Sequence, residues 1–182
     1  NPSGRLPLTM PNKANEIEFS TEQWPGLPDP ANPEYAMYTE QLLVGYRYYE
    51  EHQIKFTTGF PFGHGLSYTT FEYSQLKIDT TSTPYTISFD LANTGGVAGC
   101  EVAQLYLGFP ASADEPPIQL KGFDKVTLHS GESKTVTMNI TPRDVSVWDA
   151  VQHAFVVATG QFEVKIGSSS RDLRLTGQMT VE

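Results

Sequence analysis

One cysteine, Cys100, stands among 182 residues, so neither a disulfide framework nor a four-cysteine zinc site can form within the chain. Basic residues are scarce: 12 Lys and Arg face 21 Asp and Glu, for a formal charge of −9. A nucleic-acid surface would be basic, and docking on an anionic membrane calls for a polybasic patch. Neither a nucleic acid nor a membrane is therefore expected as partner. No apolar run approaches the roughly 20 residues needed to span a bilayer. Charged residues make up only 18% of the chain while aromatic ones reach 12%, which leaves ample surface to bury and argues against disorder. A lone cysteine fits either redox compartment.

What is there begins abruptly. The chain opens without an initiator methionine or an apolar leader, which predicts a start inside a mature protein. Asn1 to Gly4 has turn chemistry, and Arg5 to Thr9 reads as a short strand with Leu6 and Leu8 on one face. A strand carrying proline needs a sheet edge to pair with, and nothing nearby in the sequence supplies one. Residues 1 to about 60 are thus expected to finish a domain whose bulk lies elsewhere. Pro11, Pro25, Pro28, Pro30 and Pro33 mark residues 11–34 as a surface loop. Leu42, Leu43 and Val44, followed by Tyr46, Tyr48 and Tyr49, predict a brief helical turn running into a strand. Phe60 to Tyr68, with Pro61, Gly63 and Gly65 among aromatic residues, reads as a bent, packed connector.

From Phe71 onward the pattern is β. Tyr85, Ile87, Phe89 and Leu91 alternate with Thr86, Ser88 and Asp90, the period of a half-buried strand. Val102 to Leu107 is an almost continuous apolar strand. Leu120 to Leu128 is another, with a bulge expected at Gly122. Phe71–Ile78, Thr135–Ile140, Phe155–Ala158, Phe162–Ile166 and Leu173–Val181 complete about eight short strands separated by turn residues. The fold class is mainly β: a sandwich of the immunoglobulin or fibronectin type III kind.

Reactive constellations are few. His52, His64, His129 and His153 lack metal-ligand spacing, so no metal site is expected. Residues 63–68 fail the dinucleotide fingerprint because Tyr68 closes it. Residues 65–69 fail the nucleophile elbow because Thr69 holds the final glycine position. Cys100 opens an apolar strand and reads as a buried, inert thiol. Glu50 and Glu51 would diverge in a strand. Asp144 is expected to cap a short helical turn after Pro142, with Asp149 beyond Trp148. Arg171 and Asp172 read as a polar turn. Asn139-Ile140-Thr141 is a glycosylation sequon at a predicted strand end, followed by Pro142. Tyr46, Tyr48, Tyr49, Phe60, Phe62, Tyr68, Phe71 and Tyr73 crowd together. They could stack on sugar, but the favoured reading is that they join two structural units.

Seven words then occur in order: Asn1–Thr9 (NPSGRLPLT), Val44–Tyr49 (VGYRYY), Phe60–Thr69 (FPFGHGLSYT), Asn93–Gly95 (NTG), Gly99–Leu107 (GCEVAQLYL), Gln119–Val126 (QLKGFDKV) and Gly167–Asp172 (GSSSRD). Over essentially the whole chain they resemble the C-terminal part of a family 3 glycoside hydrolase, the β-glucosidase group. The resemblance implies that residues 1–62 are the C-terminal remnant of an α/β-sandwich domain with its linker. It implies that residues 63–182 are a fibronectin type III-like β-sandwich.

It also implies what is missing. The family's catalytic Asp and its acid/base Glu belong to motifs that this sequence does not contain. A retaining glycosidase needs two carboxyl groups roughly 5–5.5 Å apart, so no catalytic, cofactor-binding or metal-binding residue is assigned. The expected role is structural, within an enzyme that removes terminal non-reducing β-D-glucose. The expected partners are the barrel and α/β-sandwich domains of that hydrolase, and carbohydrate reached through them. A secreted or periplasmic setting is favoured. The alternative is a carbohydrate- or polymer-binding sandwich module. A further possibility is that the 11–34 loop, with Trp24 and Tyr35, shapes the aglycone side of a catalytic pocket.

Overall fold

The computed structural model describes residues 1–14, 16–17 and 38–182. Most of the 11–34 loop, including Trp24, and Tyr35 just after it lie outside the described residues. One short helix, α1 (Tyr46–Glu51), precedes nine strands. These are β1 (Phe71–Asp79), β2 (Tyr85–Asn93), β3 (Gly99–Gly108), β4 (Gln119–Leu128), β5 (Ser133–Ile140), β6 (Ser146–Asp149), β7 (Ala154–Val157), β8 (Gly160–Gly167) and β9 (Leu173–Val181).

Alternation dictates two layers. A three-stranded antiparallel sheet has the order β1-β2-β5, and a four-stranded antiparallel sheet the order β4-β3-β8-β9. In the first, Phe89 pairs with Val136 and Ile87 with Met138, all four buried. Their neighbours Thr86, Ser88, Asp90, Thr135 and Thr137 point away from the core. From the second sheet Leu105, Leu107, Phe162, Val164 and Ile166 close the same core. Each such fully buried side chain stabilises the fold by roughly 1.5–3 kcal/mol. In β4 the register slips: Leu105 faces Gly122 and Tyr106 faces Leu120, so Lys121 is the extra residue of a bulge. The bulge expected at Gly122 is thus present.

Four local expectations need correction. Arg5–Thr9 is not a strand, and a partner does lie nearby. Leu6 N–H donates to His64 O (2.9 Å), Gly63 N–H to Leu6 O (2.8 Å), and Met10 and Phe60 form a bridge. Pro7 has no N–H to continue the ladder, and Leu8 is exposed. No strand follows the turn at Leu42–Val44; Tyr46–Glu51 is helical, because Tyr46 and Tyr49 are spaced i, i+3 for one helix face. A ninth strand, β6, pairs with β7 as a separate hairpin with Trp148 opposite Phe155. The turn signal was Asp149, whose carboxylate accepts the N–H groups of Val151 (2.8 Å) and Gln152 (2.9 Å). Cys100 is only half-buried, 3.1 Å from Thr127 Oγ1. Its side chain sits on the outer parity of β3, beyond the stretch where that strand is covered on both faces.

Candidate functional site

From Ala103 to Gly108, strand β3 is buried on both faces. Ala103, Leu105 and Leu107 face the core, yet the outward residues Gln104 and Tyr106 are just as buried. Residues 60–64 and α1 cover them. The Tyr46 ring stacks on Phe62 at 4.8 Å and meets Tyr106 edge-on at 6.0 Å. Tyr46 Oη accepts the Leu120 N–H at the β4 bulge (2.9 Å). Gln104 saturates its amide here: Oε1 accepts the Tyr106 hydroxyl (2.5 Å), and Nε2 donates to Ser168 O (2.6 Å) and Gly63 O (3.3 Å). Gly63 has φ +82°, and a Cβ there would stand 2.3 Å from Gln104 Oε1. Only glycine fits so close an approach in that conformation. Of the crowded aromatics, Tyr46 and Phe62 pack across this seam, whereas Tyr68 is exposed and Tyr73 belongs to the sandwich core.

Two arginines fasten the same seam. Arg171, in the β8–β9 turn, sends Nη2 to Tyr49 O (2.7 Å) and Ile54 O (3.1 Å). Its Nε lies 2.7 Å from Glu50 Oε1, with the N–H off the line of a good hydrogen bond, so the contact is chiefly Coulombic. Burial pushes the Glu50 carboxyl above its ordinary pKa, against the pull of Arg171 and Lys165. Arg5 reaches from the N-terminal segment to Glu101 in β3. Glu101 is 3% exposed, and burial raises its carboxyl too, opposed by Arg5 and Arg174. Burial likewise pushes the Tyr73 phenol up. Asp172 behaves in the opposite way: hydrogen bonds from Arg174 and from Ser168 Oγ (2.6 Å) hold it below the usual carboxylate range.

A cleft of about 450 Å3 opens at this seam, lined by Arg5, His64, Thr69, Glu101, Asp172 and Arg174. Two carboxyl groups with displaced acidities could suggest an acid/base pair. Each is instead matched to a guanidinium on the cleft itself, Glu101 to Arg5 and Asp172 to Arg174. Such an arrangement does the work of a fastening: it leaves no carboxyl unpaired to give or take a proton.

The other singled-out residues lie apart from this cleft or at its rim. His52 stacks on Tyr48 at 3.9 Å and His64 on Phe60 at 4.8 Å. Glu51 is exposed while Glu50 is buried. Asp144 caps the short 3-10 turn Pro142–Val145, accepting the Thr141 N–H (2.8 Å) and hydroxyl (2.5 Å). Arg171 and Asp172 do form a polar turn, but the reach of Arg171 to α1 was not foreseen. Nor were Asn1 and Asn12. Asn1 Oδ1 accepts the Tyr68 N–H (2.8 Å), and Asn12 Oδ1 accepts those of Thr57 (2.6 Å), Thr58 (3.0 Å) and Gly59 (3.0 Å). These bonds link residues 45 or more positions apart, for which local sequence carries no signal.

Fold and fastening define the class: a fibronectin-type sandwich with an N-terminal segment fixed to its four-stranded sheet. A fibronectin type III-like domain model matches residues 101–170. Over 202 residues the chain is 39% identical to a probable β-glucosidase D of Aspergillus niger, an alignment covering 100% of this chain and 25% of that protein. To the corresponding protein of Aspergillus oryzae it is 43% identical over 97% of this chain and 25% of the relative. The solved β-D-glucoside glucohydrolase of Trichoderma reesei superposes with a TM-score of 0.85 at 35% identity, covering 99% of this chain and 27% of that one. β-Glucosidase 3B of Thermotoga neapolitana, solved with α-D-glucose, gives 0.85 at 37% identity over 98% and 24%. Over essentially its whole length the chain matches a C-terminal part of family 3 glycoside hydrolases. It spans about a quarter of the length of the relatives it matches.

Proposed function

We propose that this chain is the C-terminal portion of a retaining β-glucosidase that hydrolyses terminal non-reducing β-D-glucosyl residues, and that its own role is structural. Residues 1–62 complete the α/β-sandwich domain of that enzyme, and residues 63–182 buttress it. The partner is the remainder of the hydrolase, and substrate is met only through it. The observation that carries this reading is the double burial of β3: its outer residues Gln104 and Tyr106 are spent on holding α1 and residues 60–64. The two buried carboxyl groups, Glu50 and Glu101, each face an arginine, which supports a chain without its own acid/base pair. Purified and assayed on an aryl β-glucoside, the 182-residue chain is expected to show no turnover above a buffer blank. Turnover that is lost on Glu101→Gln or Asp172→Asn would overturn the proposal.

A binding module is the second reading, favoured by one feature. Trp148 and Phe155 stand 4.9 Å apart on the exposed β6–β7 hairpin; the Arg143 guanidinium covers the Phe155 ring, which leaves the half-exposed Trp148 ring to meet a sugar. Among the described residues the remaining exposed rings, Tyr38, Phe60, Tyr68 and Phe123, are spread over a turn, the connector and β4, so no single platform of described rings runs along a sheet. Retention on insoluble glucan that disappears with Trp148→Ala would support the module; free passage of the wild-type chain would remove it.

A further inference from the structure

The outer face of the three-stranded sheet has a different character from the seam. On β2 it presents Thr86, Ser88 and Asp90, and on β5 Thr135, Thr137 and Asn139. Thr135 Oγ1 donates to Asp90 Oδ1 (2.7 Å). No large apolar side chain interrupts these two rows, so there is little hydrophobic gain in covering them. The N-terminal segment lies on the other sheet, over Gln104 and Tyr106. The β1-β2-β5 face thus looks away from the only seam that joins residues 1–64 to the sandwich among the described residues.

On this face lies the one sequon of the sequence, Asn139-Ile140-Thr141; Asn1-Pro2-Ser3 is disqualified by its proline. Asn139 is exposed between the buried Met138 and Ile140, across from Thr86. Among the described residues its side-chain amide makes no hydrogen bond. It occupies the last outward position of β5, at the sheet's edge, where a bulky substituent meets solvent and leaves the ladder intact.

We propose that Asn139 is an N-glycosylation site when the chain is made by a glycosylating secretory route, with the glycan standing on a sheet face that stays in solvent. The co-reactant is a lipid-diphosphate-linked oligosaccharide. A bond forms from Asn139 Nδ2 to the anomeric carbon of the reducing-end sugar, that carbon's bond to the diphosphate oxygen breaks, and the lipid diphosphate leaves as the amide loses a proton. In the folded chain the Thr141 hydroxyl is donated to Asp144. The acceptor motif is therefore free before the Pro142–Val145 turn closes, and transfer precedes closure of that turn. The inference does not rest on the β-glucosidase reading, and its readout is independent of activity.

The test is secretion of the full chain from yeast, followed by peptide N-glycosidase treatment and mass spectrometry of the peptide containing Asn139. The expected result is a mass loss of at least one core oligosaccharide, with Asn139 converted to aspartate. Asn139→Gln and, independently, Thr141→Val should abolish the loss, while Thr141→Ser retains it. A secreted wild-type chain whose Asn139 peptide is wholly unmodified overturns the proposal, as does a glycan that persists in Asn139→Gln. Should one variant fail to be secreted, the wild-type peptide alone decides.

Discussion

Arg171 Nε stands 2.7 Å from Glu50 Oε1, and the same guanidinium holds the carbonyls of Tyr49 and Ile54. One side chain, in a turn of the sandwich more than a hundred residues further along the chain, thereby fixes the end of α1. Arg171→Ala leaves a buried carboxyl and two carbonyls without their donor. Breaking a buried pair costs about 3–5 kcal/mol, but the Arg171 side chain is 26% exposed, so about 2–3 kcal/mol is expected. For a chain of this size that is a fall in Tm of roughly 5–10 °C. Arg171→Lys should recover little, since an ammonium cannot span the planar fork. An unchanged Tm in Arg171→Ala would show that the clamp carries no stability.

Gly63 and Gln104 make the tightest approach in the seam. Gly63→Ala places a Cβ against the Gln104 amide and forces a left-handed conformation on alanine, a cost of about 1–2 kcal/mol from the backbone alone. Gln104→Leu retains the volume but strips Ser168 O and the Tyr106 hydroxyl of their partner, at about 1–3 kcal/mol for each group left unsatisfied. Urea midpoints of both variants should fall. Limited proteolysis should also find residues 1–64 opening before the sandwich does.

How much of this was legible depended on range. The alternation of Tyr85 to Leu91 specified β2 and its faces, and Gly122 marked the bulge, because each signal is carried by neighbours in sequence. The almost continuous apolar run of Val102 to Leu107, broken only by Gln104, hinted at a strand covered twice without naming the cover. The role of Arg171 was invisible, since its partners lie at Tyr49, Glu50 and Ile54 and any polar turn would look alike. Arg5 to Thr9 was misread for a related reason: its partner was the connector at 60–64, which has no strand period of its own. Asp149 was missed because an aspartate that organises a turn is indistinguishable in composition from any other acid.

Tyr46 tests the aromatic seam separately from its hydrogen bond. Tyr46→Phe preserves the stack on Phe62 and the edge contact with Tyr106, but leaves the Leu120 N–H without its acceptor. A loss of about 1 kcal/mol is expected. Tyr46→Ala removes the ring as well and should cost about 2–3 kcal/mol, less than the roughly 3–5 kcal/mol of a fully buried aromatic residue because Tyr46 is half-buried. Equal destabilisation by the two variants would mean that the ring contributes nothing beyond its hydroxyl.

Glu101 and Asp172 line one cleft yet should give opposite pH dependences. The Asp172 carboxyl is held low, chiefly by Arg174, so its contribution is present above the ordinary aspartate pKa and is lost as pH falls through the folded value. Asp172→Asn should then show a deficit near neutral pH that closes in acid. Its size is about 1 kcal/mol or less, because the Asp172 side chain is 47% exposed. The Glu101 carboxyl is pushed up, burial outweighing Arg5 and Arg174. Its contribution is complete below the ordinary glutamate pKa and is lost as pH rises through the folded value. Glu101→Gln should therefore gain stability relative to wild type as pH rises from about 4 to 8, although it removes one partner of an ion pair. Urea unfolding of the three proteins across that range and into acid measures both trends. If the Glu101→Gln difference instead moves against the variant as pH rises, Arg5 more than compensates the burial of Glu101, and the pair is a net source of stability.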